Sequence, residues 1–218
     1  QSGFDEEIIM KTKVISPRIP SQLMTVEDLQ AMKCSLEDDA RIIGAMIHED
    51  NETGQDYYKL DAEASLFERC RFIDCEFEKA SFIDVIFDNC DFSNSHFVKA
   101  YFNRCEFKNC KCLGTVFNEA VMKHVKIMDS TLKYASLNNA KFECVEMNHC
   151  DMTESSISET IHKNWNASKC LFIGTNFFRT KLKDFDFISC ESENMIISDT
   201  LEEIRGAQIT AIQSLEMA

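Results

Sequence analysis

Every fifth residue from Phe67 to Phe107 is phenylalanine: Phe67, Phe72, Phe77, Phe82, Phe87, Phe92, Phe97, Phe102 and Phe107. The register continues as Cys112, Phe117, Met122, Ile127, Leu132, Leu137, Phe142, Met147, Met152 and Ile157, is interrupted at His162 and Ala167, and resumes with Phe172, Phe177, Leu182 and Phe187. A period of five matches neither the 3.6 of a helix nor the 2.0 of a strand. It requires a turn in every repeat. If each repeat bends the chain by a quarter turn, about twenty residues close one square coil, and coils stack at the ~4.8 Å strand spacing. The other three positions of each repeat then face solvent.

A second series of compact residues sits two positions before each large one, and positions twenty apart fall above one another. One column reads Cys70, Cys90, Cys110, Ser130, Cys150, Cys170, Cys190, and a second reads Cys75, Ser95, Thr115, Ala135, Ser155, Thr175. A third reads Ala80, Ala100, Ala120, Ala140, Thr160, Thr180. The fourth reads Val85, Cys105, Val125, Val145, Trp165, Phe185, and its drift to large residues predicts a reorganised interior near the C-terminal end, with Ala167 making room for Trp165. Asn or Gly often precedes the small residue, as at Asn89, Asn94, Gly114, Asn139 and Gly174, which suits left-handed backbone in tight turns.

The segments CRFID, CEFEK, ASFID, CDFSN, AYFNR, CEFKN and ASLNN resemble the pentapeptide repeat family, over residues 66–199. The resemblance implies an all-β solenoid, the right-handed quadrilateral parallel β-helix of that family; the square coil follows from the spacing alone. The domain reading is a tag remnant and leader over 1–9, an irregular N-terminal extension over 10–65, the repeat coil over 66–199 and a C-terminal helical cap or dimerisation element over 200–218. The predicted inward large positions include Phe72, Phe77, Phe82, Phe87, Phe92, Phe97, Phe102, Phe107, Phe117, Leu132, Leu137, Phe142, Phe172, Phe177, Leu182 and Phe187, and the inward small ones Cys70, Cys90, Cys110, Cys150, Cys170 and Cys190.

A ladder of cysteines can be read as metal or redox chemistry or as packing, and the spacing favours packing. Buried free Cys behaves as a small hydrophobe, whereas zinc sites bring thiols together from several directions. Stacked parallel Cβ vectors also suit a disulfide poorly. All eleven Cys are expected to be reduced, in a cytoplasmic protein; Cys34, Cys112 and Cys144 fall outside the ladder. His162 is read as an inward core or turn histidine between Phe142 and Leu182.

The opening QSGF reads as the remnant of a cleavable tag, with Met10 as a native start. Thr25 and Asp28 form a candidate capping box for a short helix that turns Val26, Leu29 and Met32 to one side. Ala40, Ile42, Ala45 and Ile47 are in the five-residue phase and predict a partial first coil, followed by a polar excursion over 49–58. At the other end, Thr200 with Glu203 and Thr210 with Gln213 predict short helices. The tail EEIRGAQITAIQSLEMA resembles that of the quinolone-resistance (Qnr-like) branch, where a C-terminal element supports a homodimer.

Nothing in the sequence supports catalysis. There is no phosphate-cradling glycine motif, HExxH or GxSxG, and only 6 Gly to shape a backbone-lined pocket. No cofactor or metal is expected. The net charge of −14 disfavours direct binding to nucleic acid and to anionic membranes, and points to a protein partner. The branch resemblance implies a DNA mimic that occupies DNA gyrase or topoisomerase IV, a type II topoisomerase. The charge is unevenly placed: −8 over residues 1–65, −4 over 66–199 and −2 over 200–218. The coil is close to balanced, and its unbroken phase leaves no room for inserted loops. A scaffold for some other partner therefore stands beside the topoisomerase reading.

Overall fold

The computed structural model describes residues 13–35 and 41–216. From Gly44 to Asp184 every fifth residue has φ between +50° and +65°. Four of these are Gly; the others include Lys, Glu and the bulky Tyr134. Left-handed backbone costs an L-residue roughly 1–2 kcal/mol, so the coil must hold these residues by other bonds. It does so with hydrogen bonds to both neighbouring coils: the Asp91 N–H donates to the Cys70 carbonyl of one at 2.9 Å, and the Phe92 N–H to the Lys111 carbonyl of the other at 2.7 Å.

The elements are, in order, β1 (Met24–Val26), α1 (Leu29–Ser35), β2 (Ile42–Ile43), β3 (Ala45–His48), β4 (Asn51–Thr53), β5 (Asp61–Glu68), β6 (Arg71–Ile73), β7 (Ser81–Asp88), β8 (Tyr101–Lys108), β9 (Val121–Met128), β10 (Lys141–Asn148), β11 (Ile161–Ser168) and α2 (Ala211–Glu216). β5 and β7 to β11 pair in parallel with a twenty-residue register, for example Ser81 with Tyr101 and Tyr101 with Val121. Each of these eight-residue strands covers two adjoining sides of the square. The chain bends between them at the left-handed residue, as at Asp84 in β7 and Arg104 in β8. The third and fourth sides stack through single bridges, such as Arg71 to Asp91 and Glu76 to His96. Turns close these sides, as where the Ala80 N–H donates to the Phe77 carbonyl at 3.1 Å. The molecule is a parallel β-solenoid with a few short helices, as the five-residue period predicts.

Phenylalanine suits this interior in two directions at once. Up the column the rings stack, with Phe77 and Phe97 centroids 4.6 Å apart at 4°. Around the coil they meet edge to face, as Phe72 and Phe77 do at 5.7 Å and 90°. Both geometries suit the ring quadrupole.

The pairing begins before residue 66. Ile42 pairs with Ala62, Asn51 with Arg71 and Asp56 with Glu76. Residues 49–58, expected as an excursion, are the third and fourth sides of the first coil, with Tyr57 fully buried and stacked on Phe77 at 4.8 Å. The phase is obscured because Asp50, Glu52 and Gln55 occupy inward-register positions. Asp50 has a reason to be there, since its Oδ2 accepts the Leu29 N–H of α1 at 2.9 Å, and α1 seals the coil with buried Leu29. Thr25 does not cap this helix, because it lies in β1; Asp28 does, its Oδ1 accepting the Ala31 N–H at 2.7 Å. Ala40, Met10 and the QSGF opening lie outside the described residues.

The pairing also continues past residue 199. Asp186 pairs with Gln208, twenty-two residues on rather than twenty, so the last coil carries two extra residues. Thr200 to Gly206 forms turns rather than a helix. Glu203 is instead buried, accepting the Arg179 N–H at 2.8 Å and the Ser198 hydroxyl at 2.6 Å. Thr210 and Gln213 do form a reciprocal capping box, at 2.8 and 3.2 Å. The Gln213 amide then donates to the Phe187 and Cys190 carbonyls, both at 2.9 Å, so α2 closes the end of the coil. Among the described residues no helix is long and apolar enough to cross a membrane.

Candidate protein-binding surface

The large residues named above from Phe72 to Phe187 are at most 2% exposed. The thiols of Cys70, Cys90, Cys110, Cys150, Cys170 and Cys190 are buried and all unbridged. They do more than pack. Cys70, Cys90, Cys110 and Cys150 each donate to the carbonyl twenty-three residues earlier, at 3.2–3.4 Å. Ser95 and Thr115 make the same bond through their hydroxyls at 2.8 Å. In the first two columns the small position thus favours a side chain that is both compact and a donor, which the sequence pattern shows as a run of Cys, Ser and Thr. In the fourth column burial pushes the Cys105 thiol up to about 12, far from a nucleophilic thiolate at neutral pH. Among the described residues no cluster of three His, Cys, Asp or Glu is placed to hold a metal ion.

The outward side chains carry both signs on all four sides. Opposite charges often sit one coil apart and neutralise one another: Asp84 with Arg104 at the corner that ends the first side, Asp91 with Lys111 on the third, Lys99 with Glu119 at the end of the fourth. On the second, Glu106 pairs with Lys108 at 2.7 Å.

Residues 14–18 form an extended strap across the outside of β7, β8 and β9. Val14 is buried against the coil. The Ile15 N–H donates to His124 Nδ1 at 3.3 Å, Lys126 Nζ to Ser16 Oγ at 3.1 Å, and the Arg18 N–H to Asp84 Oδ1 at 3.0 Å. Its anchors His124 and Asp84 belong to one vertical row of left-handed corner residues. Arg104, between them, grips the Asp84 carboxylate through Nε and Nη2 at 2.7 and 2.6 Å. Burial opposes ionisation of Asp84, yet Arg104 and the strap N–H outweigh it and hold the carboxyl below its usual range. Pro17 and Pro20, which lack an N–H and favour extended backbone, suit the strap to this course.

Further along the same corner row the sheet stops. Trp165 stands in a column whose lower members are Val145, Val125 and Cys105, with Phe185 above it at a centroid distance of 4.7 Å. Two bulky rings cannot stack where Val on Val fitted, and among the described residues no strand pairs with β11 on the side away from β10. The third and fourth sides stay joined, through Leu171 to Glu191 and Asn176 to Ile196. Only the first two sides open. The gap is a groove of about 410 Å³ lined by residues that include Lys163, Asn164, Trp165, Lys183, Asp184 and Phe185. His162 is partly exposed rather than fully inward; its Nε2 lies 2.6 Å from the Lys181 carbonyl, and burial lowers its pKa, so the neutral ring donates that bond. Trp165 is 3% exposed and its Nε1 has no hydrogen-bond partner among the described residues. A second groove of about 340 Å³, lined by Lys181, Lys183, Glu202 and Arg205, adjoins it through Lys183.

The sequence reading located the widening at Trp165 but neither the strap nor the groove. The corner row Asp84, Arg104, His124 is legible at twenty-residue spacing, whereas contacts 66 to 110 residues apart leave no periodic signal.

Residues 80–157 match a family model described as a pentapeptide repeat region. None of the curated proteins matches the chain. Among solved structures, one trypsin-treated variant of QnrB1, described as a plasmid-mediated fluoroquinolone resistance protein, is 16% identical, covering 79% of this chain and 96% of that one with a TM-score of 0.45. Another such variant is 15% identical, covering 78% and 95%, with a TM-score of 0.47. HetL, a pentapeptide repeat protein involved in heterocyst differentiation regulation from the cyanobacterium Nostoc, is 11% identical over 83% and 90%, with a TM-score of 0.37.

Proposed function

Because its coil belongs to the pentapeptide repeat family, we propose that this chain acts as a non-enzymatic protein-binding rod that holds its partner on outward side chains. The observation that carries this reading is the division of the molecule into a filled interior and a patterned surface. Side chains fill the coil from Ile42 to Phe187, and the grooves around Trp165 and Lys181 lie on the outside.

A second reading, a DNA-mimicking binder of gyrase or topoisomerase IV, is supported by the net charge of −14 and by the resemblance of the repeats and tail to the quinolone-resistance branch. The placement of charge weighs against it. A basic DNA-binding groove needs a continuous acidic row, whereas Lys163, Lys181 and Lys183 stand together on the first side. Purified protein added to gyrase supercoiling reactions, with and without a quinolone, separates the two. The rod reading predicts neither inhibition nor protection up to about 100 μM, a weak-binding limit; either effect would move the assignment to the mimic.

A photo-crosslinking residue placed at Ile161, Ile188, Tyr134 or Phe178 samples one side each, since all four are exposed. A partner held by the rod gives an adduct from one side only, and equal weak labelling from all four would remove the protein-binding reading. A second copy is a further partner in this proposal, because α2 leaves Ile212 and Leu215 exposed at 69% and 79%. Sedimentation of the wild type as a dimer, and of Ile212→Glu/Leu215→Glu as a monomer, is the expected result; a monomeric wild type would refute it.

A further inference from the structure

We propose that the gap above β11 receives an extended, acidic segment of a partner protein, which adds as a strand to the open edge and is held by lysines. The inference rests on the protein-binding reading above and names the chemistry of one partner. Three observations carry it.

The first is the backbone. β7 to β10 each have a strand on both sides, while β11 has one only on the β10 side. Such an edge is a template for another extended chain, and nearby polar groups already improvise across the gap. His162 reaches the Lys181 carbonyl, and the Lys169 N–H donates to Ser189 Oγ at 3.3 Å in place of a strand partner. The second is Trp165, which lines the groove and whose buried Nε1 has no acceptor among the described residues. A buried donor left unmade costs free energy, and a peptide carbonyl in the groove would accept it. The third is charge. In a chain of net charge −14, Lys163, Lys181, Lys183 and Arg205 are exposed around the two grooves with no carboxylate partner among the described residues. An acidic segment is the complement of this cluster.

The strap shows an extended chain docked two coils away, although across the strands rather than along an edge. It is an extended chain lying on the corner row, with its N–H groups given to His124 and Asp84. Asn164 and Asp184 continue that row into the groove as acceptors of the same kind. Asp184 therefore serves the peptide backbone while the lysines serve its side chains. Glu202 belongs to the adjoining groove beside Arg205.

Trp165 is the single tryptophan, so its fluorescence reports this groove alone. The probe is the acetylated peptide Glu-Asp-Val-Glu-Ile-Glu-Asp, and its control has Lys at every acidic position. The expected result is a saturable change in Trp165 emission with the acidic peptide only, weakening at high salt. The Lys163→Glu/Lys183→Glu variant, altered only at exposed unpaired side chains, is expected to melt like the wild type and bind at least tenfold more weakly. Amide exchange over residues 161–168 is expected to slow on binding, which charge attraction without strand pairing would not produce. A flat titration up to about 1 mM, equal binding of the lysine peptide or of the variant, or unchanged exchange would overturn the proposal. So would tenfold tighter binding by a chain beginning at Lys13, which would assign the groove to the protein's own N-terminal segment. A flat titration beside a one-sided crosslink removes the groove and leaves the rod reading standing; loss of both removes both.

Discussion

Phe102 packs in the middle of the aromatic interior, stacked on Phe82 at 5.2 Å and touching Phe97, Phe107 and Phe117. Its truncation to Ala should cost ~3–5 kcal/mol, since stacked coils cannot collapse into the space of a lost ring. A denaturant melt superimposable on the wild type would contradict that. At this scale the sequence was most legible, because every repeat restates the same environment and errors at one position are outvoted by the rest. What it hid was why the small positions of the first two columns favour Cys, Ser and Thr over Ala or Val. The donor bond to the carbonyl twenty-three residues earlier exists only once two coils are stacked, so no spacing within one repeat announces it.

The strap is a device of the element scale, and its anchor can be titrated. Asp84 is held below its usual pKa in the folded chain, so it contributes stability above the unfolded carboxylate pKa of about 4 and loses it as pH falls through the lower folded value. Asp84→Asn keeps a residue that tolerates the left-handed corner and removes the charge between Arg104 and the strap. We expect it to cost roughly 1.5–3 kcal/mol near neutral pH, the range for a charge-assisted bond, with the difference from wild type shrinking toward zero as the pH falls through the lowered pKa of the folded chain. A difference independent of pH would show that the ion pair does not anchor the strap. The helical ends were partly legible. Thr210 and Gln213 formed the box their spacing predicts, while Thr200 and Glu203 did not, because Glu203 found stronger partners at Arg179 and Ser198. Local capping signals hold only where no tertiary donor competes for the same carboxylate.

On the scale of the whole molecule, the acid excess lies mostly outside the repeat coil, −8 over residues 1–65 against −4 over 66–199. Within the coil, vertical pairs one coil apart mix the two signs, so the total of −14 does not describe its faces. The sequence by itself determined the solenoid, its square coil, its inward columns and the place where the fourth column outgrows its space. It could do so because a repeat interior is a one-dimensional problem: each residue meets the same neighbours five and twenty positions away. Only the tertiary structure decided how the misfit at Trp165 is resolved. The coils could have shifted together; instead two sides stayed joined and two opened, leaving a strand edge, an unpartnered indole N–H and a cluster of lysines at one place. That outcome depends on how strain is shared among sides whose hydrogen bonding differs, and side-chain periodicity carries no record of that difference.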